Sequence, residues 1–378
     1  MALNKKKIVA NRTFIKQAVE LIAAARTQAV RQTNSLMVFT YFHLGRLIIE
    51  QEQGGKTKAA YGEEIIKQLS IALSKQFGDG FSERNLEQIR LFYFLYQQKG
   101  IQLPIPQTVS AKLRPSQKPQ TVSAVLKPSK KPQTVSAESS HSANFGTPIL
   151  FPLSWSHYVF LCRIKDEDER AFYEIEAVQG NWSVRELQRQ YDSGLFERLS
   201  LSKNKKKVKE LAKKGQVIEK PEDALKANYI LEFLGLQEKS SYTESDLEAA
   251  IINKIEHFLL EMGKGFLFQG RQVRFSFDDE DFYVDLVLYN RLLQCFVLVD
   301  LKIGKLKHQD IGQMQMYVNY YDRFVKSDFE KPTVGIIICK NKSDAVVEIT
   351  LPKNNNTIFA KEYKLYLPTR AELKKLLN

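Results

Sequence analysis

Cysteine is scarce in this chain, and long apolar runs are missing from it. The three cysteines, Cys162, Cys295 and Cys339, lie far apart and form no CxxC pair, so neither a disulfide framework nor a zinc ribbon is expected. No stretch approaches the roughly 18 consecutive apolar residues of a membrane span, and the segment 11–20 is too polar for the core of a signal peptide. These absences predict a cytoplasmic protein without a membrane partner.

Histidine is also infrequent, and acidic residues are outnumbered. None of the five histidines has an HxxxH or HExxH spacing, which disfavours histidine-based metal binding. Lysine and arginine together number 56 against 43 aspartates and glutamates, a formal net charge of +13. A basic excess of this kind favours a polyanionic partner such as nucleic acid.

The first hundred residues have helical apolar spacing. One helix begins near Phe14 and another is marked by Val38 and the apolar residues that follow it. The stretch 61–96 predicts a helix, a Gly-Asp-Gly turn at 78–80 and a second helix capped by Ser82, an order that resembles a helix-turn-helix.

A mainly α N-terminal domain that binds DNA is predicted over residues 1–100 and 148–200, because aromatic-rich helical patterns resume after residue 150. On the second helix of the helix-turn-helix-like segment, Arg84 and Arg90 either contact DNA or belong to a solvated face. The chain is long enough for two or three domains.

Two segments interrupt the predicted domains. Between 101 and 147 the sequence PQTVSA begins at Pro106, Pro119 and Pro132, with few large apolar side chains, which predicts a disordered insert. The lysine-rich stretch within 201–225 is interpreted as a basic linker, either a solvated hinge or a contact with backbone phosphates.

The remainder, 226–378, has a clear order of elements. Thr243 caps a helix predicted to run to about Met262. Then follow strands at 266–277, 282–289 and 294–303, a helix at 309–325, a strand at 334–339 and a further strand near 363–367. This order predicts an α/β domain with an αβββαβ core.

Charged residues occur where the predicted strands should be buried. Asp285 lies among apolar neighbours on the second strand, and Asp300 and Lys302 share one side of the third, whose other residues are apolar on both faces. Buried charges cost several kcal/mol each unless they are paired or bind a metal. The cluster therefore indicates a functional site.

The preceding helix adds an acid. At 100° per residue Glu248 lies within the apolar stripe, whereas Glu256 and Glu261 are predicted outside it. Glu248 is therefore expected to meet the strand residues at one edge of the sheet, although a helix-edge glutamate also reaches solvent easily. By itself, the acid-x-Lys pair on the third strand would more commonly be a surface ion pair.

The residue types suit hydrolysis of phosphodiesters. Asp285 and Asp300, with Glu248 as an outer ligand or base, are the expected ligands of Mg²⁺, for which Mn²⁺ can substitute. Lys302 would hold the attacking water or a phosphate oxygen. One helical turn apart, Gln313 and Tyr317 would steady Lys302 or contact the DNA backbone. In addition, Arg271, Gln272 and Lys305 are candidate phosphate contacts; for the first two an exposed hairpin pair is the alternative.

Several motifs resemble one family. The runs GKGF at 263–266, GRQ at 270–272, FYVDL at 282–286, VDLKIGK at 299–305 and GQMQMY at 312–317 resemble the YhcG-type nucleases of the PD-(D/E)XK superfamily. Upstream, GFS at 80–82 and LSWSHY at 153–158 are similar to the N-terminal domain of that family. The resemblance implies that the αβββαβ core has the restriction-endonuclease-like fold. It also implies a bacterial nuclease behind a DNA-binding module, with roles in DNA processing, recombination, repair or defence.

Two departures from the family pattern are visible. Asp300 stands where the family more often has glutamate, and Val284 precedes Asp285 where the superfamily name has proline. A catalytically inactive nucleic-acid-binding protein on a nuclease scaffold is therefore the alternative function, and a subunit that binds partner proteins of a DNA-processing or defence system is a third. Double-stranded or branched DNA is the expected substrate, with RNA and a homodimer left open.

Overall fold

The computed structural model describes residues 2–54, 59–97, 151–201, 205–236, 242–369 and 372. The chain divides into two compact units, Met1–Ser154 and Trp155–Asn378. The predicted insert at 101–147, with its repeats, lies outside the described residues. Among the helices of the described ranges, none combines the length and apolar character needed to cross a membrane.

The first unit is helical. Its helices are α1 (Ala2–Gly54), α2 (Ala59–Phe77) and α3 (Glu83–Tyr96). The prediction of separate helices near Phe14 and Val38 is wrong, because no glycine or proline interrupts the chain between them and α1 is continuous. The Ser82 cap is confirmed, since its side chain accepts a hydrogen bond from the Asn85 backbone N–H.

The core of the first unit is aromatic. Phe42 packs against Phe92 and Phe151, with ring centroids 6.0 and 5.5 Å away. Helices α1 and α3 approach closely at Gly45, where a Cβ atom would lie 2.5 Å from the Ile89 carbonyl oxygen. The order of α2, a short turn and α3 agrees with the sequence, and its role as a helix-turn-helix stays a prediction.

The second unit opens with more helices. They are α4 (Trp155–Leu161), α5 (Glu167–Gln179), α6 (Val184–Asp192), α7 (Leu195–Ser200), α8 (Lys205–Lys214) and α9 (Pro221–Ala224). The lysine-rich stretch is helical over α8, and its interpretation as a basic linker stays a prediction. Leu211 and Ala212 are buried there, while Lys213 and Lys214 stay exposed, so this short helix packs through its apolar side.

A six-stranded mixed sheet follows. Its strands are β1 (Asn228–Ile230), β2 (Phe266–Phe277), β3 (Glu280–Asn290), β4 (Cys295–Lys305), β5 (Val334–Asn341) and β6 (Ile358–Lys364). The spatial order is β1-β6-β5-β4-β3-β2, antiparallel between β2, β3 and β4 and parallel elsewhere. The last strand begins five residues earlier than the sequence predicts, because Ile358 and Ala360 pair with β5.

Helices cover both faces of this sheet. They are α10 (Glu244–Asn253), α11 (Ile255–Met262), α12 (His308–Tyr320) and α13 (Asp344–Thr350). Residues of α10 and α11 pack on one side of β4, and residues of α12 pack on the other. The predicted αβββαβ order is therefore confirmed, with β1 and β6 added at the far edge.

The helix predicted from Thr243 to Met262 is interrupted. Thr243 caps α10 as expected, but Lys254 has φ −123° and ψ 31°, and α11 starts after it. The placement of Glu261 outside the apolar stripe is therefore wrong: its side chain is fully buried, whereas Glu256 is exposed as predicted. The break changes the angular register on which a single 100° projection depends.

Candidate active site

Asp285 lies where two strands part. The pairing of β3 with β4 runs from Asn290 opposite Cys295 up to Leu286 opposite Val299, and Asp285 is the next residue. Its Oδ2 accepts a hydrogen bond of 2.8 Å from the Leu301 backbone N–H. The carboxylate thus binds an amide of β4 just beyond the paired stretch, and this contact fixes its position.

Asp300 and Lys302 lie on the neighbouring strand, on the side that α12 covers. Asp300 is 3% exposed, and its Oδ2 is 3.0 Å from Lys302 Nζ. The Lys302 ammonium is the partner of this buried oxygen, so the two charges compensate each other inside the site.

The electrostatics of the pair are asymmetric. Burial raises the pKa of Asp300 to about 7, with a further rise from Asp285 and a partial reduction from Lys302. Burial by itself would lower the pKa of Lys302, but the attraction of Asp300 outweighs it and the pKa is raised. Lys302 therefore stays charged near neutral pH, while Asp300 titrates there.

Glu248 joins the cluster from α10 through Gln272. The Gln272 Nε2 donates to Glu248 Oε2 at 2.7 Å and to Asp285 Oδ1 at 3.1 Å. Gln272 has φ +46°, in the left-handed region that non-glycine residues seldom adopt. Gln272 was expected to reach a phosphate; in this structure its amide lies between two carboxylates, and the phosphate contact stays a prediction.

Gln313 and Tyr317 approach from α12. Gln313 Nε2 donates to the Tyr317 hydroxyl at 2.6 Å, and that hydroxyl donates to the Tyr283 carbonyl oxygen at 2.9 Å. Burial raises the pKa of Tyr317, and the nearby Asp300 raises it further. The tyrosine is therefore a fixed neutral donor that links α12 to β3 beside the acids.

Two acids near the site were not predicted. Glu244 contributes to the raised pKa of Lys302, and Asp310 contributes to that of Asp300, so both lie within electrostatic reach. Glu244 is one turn before Glu248 on α10, and this spacing was a usable signal in the sequence. Asp310 accepts a 2.8 Å hydrogen bond from the Lys307 N–H at the start of α12.

The basic residues predicted to contact phosphates differ in their exposure and in their ion pairs. In the second unit, Arg271 and Lys305 are exposed on β2 and at the end of β4. In the first unit, Arg84 is exposed on α3, whereas Arg90 makes a 2.8 Å ion pair with Glu52 of α1. A role in binding nucleic acid stays a prediction for these three arginines and for Lys305.

The carboxylates of the site are the side chains that could hold a metal ion. In the described ranges, no three His, Cys, Asp or Glu side chains form a group arranged to hold a cation. Asp300 nevertheless keeps its buried carboxylate beside Lys302, and Glu248 and Asp285 share the single amide of Gln272. These hard carboxylate oxygens suit Mg²⁺ or a similar divalent cation, although they are not preassembled as ligands.

A buried acid-x-Lys on a central strand, an acid on the adjacent strand and an acid on the preceding helix define the PD-(D/E)XK class. Residues 222–378 match the YhcG PDDEXK nuclease domain, and residues 17–198 match the DUF1016 N-terminal domain. A protein of Escherichia coli (strain K12), "Putative nuclease YhcG", is 41% identical over 355 residues, 94% of this chain and 90% of that one. The chain therefore belongs to the YhcG family.

One solved structure was also compared. A repair endonuclease from Pyrococcus abyssi aligns with 34% of this chain and 50% of its own, at 17% identity and a TM-score of 0.23. This likeness is too low to inform the fold.

The boundary between the two family matches and the boundary between the two compact units differ. The family matches end at 198 and begin again at 222, whereas the first compact unit ends at Ser154. The predicted domain boundaries therefore stay a prediction.

Proposed function

We propose that this protein is a metal-dependent nuclease that hydrolyses phosphodiester bonds of DNA. The observation that carries the proposal is the meeting of Glu248, Asp285, Asp300 and Lys302 where β3 and β4 separate. The basic excess of the chain favours a polyanionic substrate, and membership of the YhcG family agrees with nuclease chemistry.

Asp285 and Asp300 would hold the cation, with Glu248 beside them. A divalent cation such as Mg²⁺ or Mn²⁺ would acidify a water molecule and neutralise charge that develops on the phosphate. Asp300 binds a cation through its ionised form, so its pKa of about 7 couples cation affinity to pH. Asp285 is already anchored by the Leu301 amide and needs no rearrangement of the strand.

Lys302 and Glu248 would act on the substrate and the water. Because Lys302 remains charged beside Asp300, it attracts a phosphate oxygen and stabilises the additional negative charge of the transition state. Glu248 is only half-buried, so it orients a water molecule or accepts its proton. The hydrogen-bonded Gln313 and Tyr317 would orient the substrate backbone beside the acids.

The test is cleavage of plasmid and branched DNA by the full chain with Mg²⁺ or Mn²⁺. Asp285→Asn and Lys302→Ala should each reduce the rate by about 10²-fold or more, because each removes a charge that acts in the transition state. Glu256→Gln, on the exposed side of α11, is the control and should cleave normally. Cleavage that persists in either site variant would refute the assignment.

A second candidate is a nucleic-acid-binding protein without catalysis. It is favoured by the lack of a preassembled group of three ligands in the described ranges and by the shorter Asp300 at the family's usual glutamate position. Salt-sensitive DNA binding, with no cleavage of any DNA tested and no calorimetric binding of Mn²⁺, would select this function.

As a nuclease, the protein would serve DNA processing, recombination, repair or defence against foreign DNA.

A further inference from the structure

An aromatic groove of about 360 Å³ lies on the second unit, between the end of β2 and the outer side of α12. It is lined chiefly by Phe275, Phe277, Met316, Tyr320, Arg323 and Phe324. Its volume is at the lower end of the range for small-molecule sites, about 300–1,000 Å³, which is room for one flat group. None of the side chains assigned to catalysis above lines it.

The rings of the groove are ordered by their neighbours. Phe275 is stacked on Tyr320, with centroids 4.1 Å apart and planes at 23°, and on Phe282 at 5.5 Å and 27°. Phe277 and Phe324 are 54% and 63% exposed. The buried rings thus hold a rigid base, while the two outer rings offer apolar surface to a ligand.

The groove adjoins the candidate active site through Tyr317. The edge of the Tyr317 ring meets Phe275 at 5.5 Å and 87°, while its hydroxyl binds Gln313 and the Tyr283 carbonyl oxygen. The negative charge of Asp300 contributes to the raised pKa of Tyr317, so the hydroxyl lies within electrostatic reach of the acids. A single side chain therefore separates the stacked rings from the catalytic cluster.

The charges around the groove select one part of a nucleotide. Among the lining residues Arg323 carries a positive charge, and the turn after Phe277 and the first residues of β3 carry Asp278, Asp279, Glu280 and Asp281, of which Asp281 is paired with Arg274 at 2.9 Å. Phosphates are repelled from that acidic turn, so a continuous backbone would not cross it. An uncharged base is therefore the part of a nucleotide that suits the groove, with its phosphate on the side of Arg323.

We propose that the aromatic groove holds an unpaired nucleobase of the strand being cleaved, and that the substrate is DNA with unpaired bases beside the scissile phosphate. This inference rests on the proposed function. A base in a duplex has its faces covered by its neighbours, and extruding it costs a few kcal/mol, whereas an unpaired base stacks on exposed aromatic rings without that cost. The acidic turn limits the groove to a single base.

The test is DNA binding by the full chain in EDTA, where metal-dependent cleavage is stopped. Two fluorescent duplexes of equal length are compared, one blunt and one with a gap of three unpaired nucleotides. Phe324→Ala should weaken binding of the gapped DNA by roughly 5- to 150-fold and Phe324→Trp should restore it, because stacking on one ring contributes an affinity of that size. Blunt DNA should be affected little.

Phe329→Ala is the matched control, because Phe329 is 77% exposed and does not line the groove. Equal weakening of both DNAs, or no change with either, would overturn the proposal. A change of oligomeric state in Phe324→Ala would assign the groove to a second copy of the chain and also overturn it. Loss of gapped-DNA binding in Phe324→Ala, in a protein that cleaves no DNA, would keep the base site but overturn its link to a cleaved strand together with the proposed function.

Discussion

Replacing Glu261 with glutamine should destabilise the second unit by roughly 3–5 kcal/mol, the cost of breaking a buried ion pair. Glu261 and Arg198 are both fully buried, with Glu261 Oε1 2.5 Å from Arg198 Nη1. The same oxygen accepts the Ile230 N–H at 2.9 Å, and Arg189 and Lys226 lie 3.4 and 3.5 Å from Oε2. Glutamine keeps the shape but leaves Arg198 and Arg189 without their counter-charge; Lys226, whose pKa burial lowers to about 7, is only partly protonated at neutral pH.

The pKa of Glu261 gives a similar magnitude. Burial would raise it, but Arg198, Lys226 and Arg189 outweigh burial and hold it at about 2, below the ordinary 4.5. A lowering of this size corresponds to about 3 kcal/mol. Because the folded-state pKa is depressed, this stabilisation is present above about pH 4.5 and is lost as pH falls toward 2. At pH 7 it is fully present, so the variant can be tested there.

The assay is urea denaturation of the full chain at pH 7, followed by tryptophan fluorescence. Both tryptophans, Trp155 and Trp182, belong to the second unit, so the signal reports its unfolding. Glu256→Gln, which removes an exposed charge from the same helix, should change stability by less than about 0.5 kcal/mol. If Glu261→Gln unfolds at the same urea concentration as Glu256→Gln, the buried cluster does not contribute as argued.

The remaining predictions concern the candidate site. Gln272→Ala should tighten Mn²⁺ binding by about tenfold in calorimetry. The substitution removes the hydrogen bonds that the Gln272 side-chain amide donates to Glu248 and Asp285, so the two carboxylates repel each other until a cation binds. Unchanged affinity would count against the Gln272 bridge. Affinity for Mn²⁺ should also fall up to tenfold per pH unit below 7, as protons compete for Asp300. In metal-free protein, the raised pKa of Asp300 favours folding below about pH 4, and this contribution is lost as pH rises through 7. The free energy of unfolding of the wild type, minus that of Asp300→Asn, should thus decrease between pH 5 and 8. A difference that does not change with pH would contradict the raised pKa of Asp300.

The order of elements along the chain was predictable because its signals are local. The segment 296–301 is apolar on both faces until Asp300, which marks a central strand, and short turns on either side of β3 make its neighbours antiparallel. The spacing of Asp300 and Lys302 placed both on one side of β4. Family membership was predictable for a similar reason, since the motifs are continuous in sequence.

Other features depend on contacts distant in sequence. The orientation of Glu261 is set by Arg198, 63 residues away, and by the break at Lys254, which no glycine or proline announces. The role of Gln272 depends on a left-handed backbone that favours glycine or asparagine, so a glutamine at this position does not predict that conformation. Nor did the lysines of α8 reveal that Leu211 and Ala212 would be buried beneath them.

The buried cluster also bears on where the nuclease domain begins as a folding unit. A fragment of residues 222–378, the span that matches the YhcG nuclease domain, would keep Glu261 and Lys226 but lose Arg198 and Arg189. It would also lose Glu176, the 2.7 Å partner of Lys264. Since buried charges without partners cost several kcal/mol each, an amount comparable to the whole stability of a domain, this fragment should lack cooperative unfolding in circular dichroism. A fragment of residues 155–378 retains every partner and should unfold cooperatively; if the shorter one does so at the same urea concentration, the helices before residue 222 are not part of the folding unit.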